Sequence, residues 1–152
     1  MVATSSIISV RTGNHNGFFI TVERNNGALP TMRLTADTSV SIPDKTAWSP
    51  GVATTSAGNA TASSTEPQTL QFRVRASGTD TPNYASAWWG SNDADANALF
   101  AGFPSTPQTI VNRSVAATAT TSISVLYNLA VPVSQPSGAY SGDVLYTITA
   151  NL

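Results

Sequence analysis

Alternation of apolar and polar residues with a period of two is the dominant pattern of this chain. Residues 68–75, QTLQFRVR, show it most cleanly: Leu70, Phe72 and Val74 share one face, and Gln71, Arg73 and Arg75 the other. Alternation of this kind predicts a strand with one face on a core and the other turned to solvent. The pattern recurs in residues 18–24, where Phe18, Ile20 and Val22 face together. It recurs in residues 121–133, TSISVLYNLAVPV, through Ile123, Val125, Tyr127, Leu129 and Val131, and in residues 140–152, YSGDVLYTITANL, through Val144, Tyr146, Ile148 and Ala150. Shorter runs at residues 6–11, 31–36 (Met32 and Leu34 inward) and 109–115 read as further strands.

Turn chemistry punctuates these runs. Gly13-Asn14-His15-Asn16-Gly17 and Asn25-Asn26-Gly27 carry the Asn-Gly pairs that accept positive backbone angles. Pro136-Ser137-Gly138 separates the last two runs and predicts that they form an antiparallel hairpin, with the closing run as a core strand. Residues 44–68 and 78–107 are rich in Pro, Gly and small polar residues and read as two long loop regions. The second holds a helical turn at residues 93–100, capped by Asn92 or Asp93. About seven short strands without a long helix predict an all-β fold: an antiparallel β-sandwich of immunoglobulin-like or jelly-roll topology. The length of 152 residues suits a single domain spanning 1–152.

Composition narrows the class. Charged residues make up 10% of the chain, against about 25% in ordinary soluble domains, and Ser, Thr and Asn fill the polar positions instead. That balance is commoner on surface layers, pilins and capsids than in cytoplasmic enzymes. A net charge of −1 with a single lysine, Lys45, argues against nucleic acid as a partner. The absence of cysteine removes disulfides, thiolate metal sites and a cysteine nucleophile. No apolar run approaches the roughly 18 residues of a membrane span. The start, Met1-Val2-Ala3-Thr4, lacks the basic and apolar regions of a secretory leader, so the expectation is the mature part of an exported protein with an added Met1.

Candidate chemistry is sparse. His15, the single histidine, sits in a turn with no acid or nucleophile beside it and reads as a solvated loop residue. Asp93, Asp95 and Asn97 have the spacing that opens a calcium loop, but Ala98 stands where glycine is needed and Pro104 where a bidentate acid is needed. A looser calcium site on Asp93 and Asp95 competes with a plain helix cap; calcium is the one cofactor considered. Trp48, Trp88 and Trp89 with Tyr84 offer an aromatic platform for a glycan, against the plainer reading of apolar plugs under the long loops. An intramolecular Lys–Asn isopeptide bond would have to use Lys45, in a loop-rich stretch that disfavours it. Phosphate loops, histidine pairs and nucleophile elbows are missing, and no catalytic residue is assigned.

The terminal run VPVSQPSGAYSGDVLYTITA resembles the final hairpin of bacterial cell-surface β-sandwich proteins, in which a Gln-Pro-x-Gly-x-Tyr connection leads into a Tyr-Thr-x-Thr-Ala strand. Asn16 to Val22, NGFFITV, is similar to a strand near the start of the same group, and the comparison extends to pilin-like and fibre-forming surface subunits. The resemblance covers about a third of the chain. It implies an extracellular, non-enzymatic protein of the cell surface.

The N-terminal arm, residues 1–10, has Ile7, Ile8 and Val10 to bury. Two placements are open: inside its own sandwich, or along the edge of a neighbouring copy by β-strand addition. The leading expectation is therefore a structural subunit of a surface filament, pilus or surface layer, a homo-oligomer or homopolymer joined through Ile7, Ile8 and Val10. A carbohydrate-binding adhesion module using the loop aromatics is the first alternative. A viral capsid or spike β-sandwich is the second.

Overall fold

The computed structural model describes residues 2–25, 32–45, 69–77, 100–129, 131 and 133–152. Among them are nine strands and no helix: β1 (Val2–Thr12), β2 (Phe18–Arg24), β3 (Met32–Leu34), β4 (Asp37–Ile42), β5 (Leu70–Ser77), β6 (Gln108–Arg113), β7 (Ala117–Leu129), β8 (Tyr140–Ser141) and β9 (Val144–Ala150). They form three three-stranded sheets, ordered β1-β7-β5, β6-β2-β9 and β4-β3-β8. Every ladder within them is antiparallel. The fold is all-β, as the alternation predicts.

One apolar cluster draws on the first two sheets. β1 supplies Val10; β7 supplies Ala117, Ile123 and Val125; β5 supplies Leu70, Phe72 and Val74. From the second sheet come Phe18, Ile20 and Val22 of β2 and Ile110 and Val111 of β6, with Ala101 and Phe103 between. The alternating faces of β2 and β5 thus bury the residues that the period-two pattern marks, and on β7 Ile123 and Val125 are buried with Tyr127 and Leu129 packed against the cluster. Phe72 and Phe103 stack at 4.4 Å between ring centroids, and Phe103 lies 6.2 Å from the Tyr127 ring. The Tyr127 and Tyr146 hydroxyls meet at 3.0 Å, joining β7 of one sheet to β9 of the other.

Several expectations are corrected. The last two long strands are not a hairpin: β7 lies between β1 and β5, whereas β9 pairs with β2 in a different sheet. The connection between them contributes β8 to the third sheet, and Val131, expected on the inward face, is exposed because β7 ends at Leu129. Alternation marks a strand's faces but not its partner, and a Pro-Gly segment serves a crossing between sheets as well as a tight turn. Among the described residues β9 is an edge strand rather than a core strand; of its side chains only Val144 and Tyr146 are half-buried.

β4 was not among the expected strands, because its DTSVSI sequence carries little apolar contrast. With β4 added and the run 140–152 divided between β8 and β9, the count is nine among the described residues instead of about seven. Gln71 and Arg73 of β5, expected in solvent, are buried. The helical turn expected at residues 93–100 lies outside the described residues, save Phe100.

The β1–β2 turn is tied to both neighbours of β2. Gly17 adopts φ +77, and its amide donates to the Asn14 carbonyl at 3.1 Å. A Cβ at Gly17 would stand 2.1 Å from the Arg113 carbonyl oxygen, so glycine is required by angle and by space. The Asn14 side-chain amide donates to the carbonyls of Gly17 at 3.2 Å and Asn151 at 2.6 Å. That of Asn151 donates to the carbonyls of Asn16 at 2.7 Å and Arg113 at 2.8 Å.

Candidate assembly edges

The residues proposed from sequence for assembly all lie on β1. This strand is paired within its own chain, from Val2 opposite Leu129 to Val10 opposite Thr121, with a register shift before Thr12. Of the two placements open to the arm, the structure shows the intramolecular one. Among the described residues β1 is nevertheless an edge strand. Among its described side chains, Val10 belongs to the apolar cluster, Ile8 packs against it, and Ile7 on the opposite face is 69% exposed.

A second edge lies on β9, and its hydrogen-bonding direction follows from two bonds at its partner. The Asn151 amide donates to the Gly17 carbonyl at 3.1 Å, and the register continues as Thr149–Phe19, Thr147–Thr21 and Leu145–Glu23. Antiparallel strands exchange hydrogen bonds at every second pair. Odd-numbered residues of β9 therefore turn their backbone groups to β2. The Arg24 amide agrees, since it points away from β9 and donates to the Pro104 carbonyl at 2.9 Å. The N–H and C=O groups of Val144, Tyr146, Ile148 and Ala150 accordingly face the side of β9 on which no strand lies among the described residues. Leu145 is 42% and Ile148 48% exposed. From Val144 to Leu152 there is no charged side chain, proline or glycine. Protein edges usually carry such guards against pairing with other chains.

Beside this edge, β2 ends in a buried ion pair. Arg24 shares the inward parity of Phe18, Ile20 and Val22, and its guanidinium lies 4.3 Å from the Phe103 ring centroid, face-on. Its Nε donates to Asp44 Oδ2 at 2.7 Å, its Nη2 to Asp44 Oδ1, and its Nη1 to the Asp143 carbonyl at 3.2 Å. Both side chains are essentially inaccessible to water. Burial pushes the Arg24 pKa down, while the hydrogen bond and charge of Asp44 oppose that shift.

Behind β5, on the face away from the apolar cluster, Gln71, Arg73 and Asn128 form a buried polar group. Gln71 and Asn128 are direct cross-strand partners. Gln71 Nε2 donates to Thr69 Oγ1 at 3.1 Å, while Gln71 Oε1 and both amide atoms of Asn128 have no hydrogen-bond partner.

The remaining candidates divide simply. His15 is exposed in the β1–β2 turn, as expected of a solvated loop residue. Asp93 and Asp95, and the aromatic residues Trp48, Tyr84, Trp88 and Trp89, lie outside the described residues. No cluster of three or more His, Cys, Asp or Glu side chains suited to a metal occurs among the described residues. Lys45 is buried. No helix among the described residues is long and apolar enough to cross a membrane. The β9 edge went unrecognised in the sequence, although its signal was present: a strand with no charged residue on either face.

No protein-family model, curated protein or solved structure matched the chain.

Proposed function

We propose that the chain is an extracellular structural subunit of a surface filament, pilus or surface layer, non-enzymatic and assembled by exchange of its N-terminal strand. The reading takes the two larger sheets as the halves of an antiparallel β-sandwich; their shared apolar cluster supports it. The carrying observation is the place of β1. It is an N-terminal edge strand whose backbone pairs with β7 from Val2 to Val10, while its described side chains put only Val10 into the core. Such a strand can leave its own β7 and complete the same ladder on the β7 of a neighbour with little loss of apolar contact. Strand donation of this kind links subunits through main-chain hydrogen bonds and removes an open edge. The low charge and the resemblance to surface subunits point the same way.

The test uses the absence of native cysteine. Ser9 and Ser122 are direct partners on the face of the β1–β7 ladder away from the core. In a Ser9→Cys/Ser122→Cys variant, exchanged strands give disulfides between chains and a ladder of bands on a non-reducing gel. Electron micrographs should show filaments or layers that the ladder accompanies. Assemblies whose disulfides all lie within single chains, or a protein that stays monomeric throughout, would overturn strand exchange.

A further inference from the structure

We propose that β9 is a second, independent assembly edge, on which two copies of this chain pair β9 to β9 in antiparallel register about a two-fold axis at Thr147. The inference goes beyond exchange of β1 and does not depend on it. The outward backbone groups of β9 belong to Val144, Tyr146, Ile148 and Ala150. A two-fold axis at Thr147 sets Val144 opposite Ala150 of the partner subunit and Tyr146 opposite Ile148 of the partner subunit. Every outward N–H and C=O then meets a complementary group, and all seven residues of β9 are used.

The side chains favour a second copy as occupant. Tyr146 and Ile148 share the core-facing parity, and Ile148 is left 48% exposed. In the paired edge it lies beside Tyr146 of the partner subunit, an aromatic–β-branched pair of the kind that stabilises sheets. Leu145 falls opposite Thr149 of the partner subunit on the other face. A charge on the strand would have to be matched by an opposite charge across the axis or lose its hydration unpaired; β9 carries none. The result is a continuous six-stranded sheet, β6-β2-β9 followed by the same strands of the second copy in reverse order. An edge contact of this length is small, so the dimer should depend on concentration.

The register makes a prediction that mere stickiness does not. Thr147 faces itself across the axis in a non-hydrogen-bonded pair, where Cα atoms approach to about 4.5 Å, within the range a disulfide spans. Under mild oxidation, full-length Thr147→Cys should convert to a covalent dimer, whereas Thr149→Cys, placed opposite Leu145 of the partner subunit, should not. Sedimentation of the parent chain should show reversible dimers. Ile148→Lys, at an exposed position, should fold normally by circular dichroism and weaken the dimer about tenfold or more, equivalent to ~1.4 kcal/mol. A parent chain monomeric at all concentrations would overturn the proposal. So would equal cross-linking of the two cysteine variants, or a folded Ile148→Lys variant that associates as tightly as the parent. The Ser9/Ser122 ladder reports on β1 alone, so the two assembly modes succeed or fail separately.

Discussion

Arg24 and Asp44 form a two-pronged ion pair closed off from water, with the Arg24 guanidinium lying on the face of Phe103. The pair joins the end of β2 to the segment after β4, where Asp44 makes an isolated parallel bridge with Leu70. Removing one partner from a buried pair strands the other charge, which costs about 3–5 kcal/mol. Asp44→Ala should therefore lose that order of stability in denaturant unfolding. The double variant Arg24→Met/Asp44→Leu should lose distinctly less, because neither change leaves a buried charge. A double variant worse than the sum of the single ones would contradict this account.

Arg24 also shows what the sequence makes legible. Its parity with Phe18, Ile20 and Val22 fits the inward face, but Asp44 is not legible as its partner, since contacts twenty residues apart leave no periodic trace. The inward faces of β2, β5 and β7 were readable because one side of each strand is apolar. The pairing of β7 and β9 was not, because alternation is the same whichever sheet a strand joins. Gln71 and Arg73 show a further limit: a polar face need not be a wet one. The loop aromatics and the two aspartates are conspicuous in the sequence, whereas the β9 edge is marked there only by missing charge, a signal that does not say which side of a strand lacks a neighbour.

Asn128 is buried opposite Gln71 with neither amide atom hydrogen-bonded. Desolvating an unpaired amide costs roughly 1–3 kcal/mol, and an apolar group of similar shape avoids that cost. Asn128→Leu is therefore expected to leave stability unchanged or raise it by about 1 kcal/mol. Thermal unfolding decides; a clear loss would mean that Asn128 is satisfied by a group such as buried water.

Gly17 and Gly13 sit in the same turn but differ in surroundings. A Cβ at Gly17 would collide with the backbone oxygens of Arg113 and Val115, whereas one at Gly13 would meet nothing within 4 Å. Gly17→Ala also forces a side chain into the left-handed region, and strain of this kind costs of order 1–3 kcal/mol before the collision is counted. Gly13→Ala should be close to neutral. Comparing their melting temperatures tests whether the β1–β2 turn is built around Gly17.

Asp37 opens β4 and accepts hydrogen bonds from the Ser39 hydroxyl at 2.6 Å and the Ser39 amide at 3.0 Å. These bonds, the hydroxyl first, hold its pKa below the ordinary 3.8. A lowered carboxylate value means that the associated stabilisation is fully present above pH 3.8 and is lost as the pH falls through the lower, folded value. A carbon-detected titration of Asp37 should place its midpoint below 3.8, and Ser39→Ala should move it back toward 3.8. An unchanged midpoint in the variant would reject the hydroxyl as the main cause.

Tyr146 should set an alkaline limit on the fold. Burial first, then the proximity and hydrogen bond of Tyr127, push its pKa far above the ordinary 10.0, with Arg24 opposing weakly. A raised value means that its contribution is intact below pH 10.0 and declines as the pH rises beyond it, because the unfolded chain can ionise there and the folded chain cannot. Tyr146→Phe removes the ionisation and also the 3.0 Å contact with the Tyr127 hydroxyl. At neutral pH the variant should lose no more than about 1 kcal/mol, the net worth of one hydrogen bond. Above pH 10 it should lose stability less steeply than the parent, so the difference between them narrows and then changes sign. Parallel pH profiles for the two proteins would show that the proton retained at the β7–β9 contact is not on Tyr146.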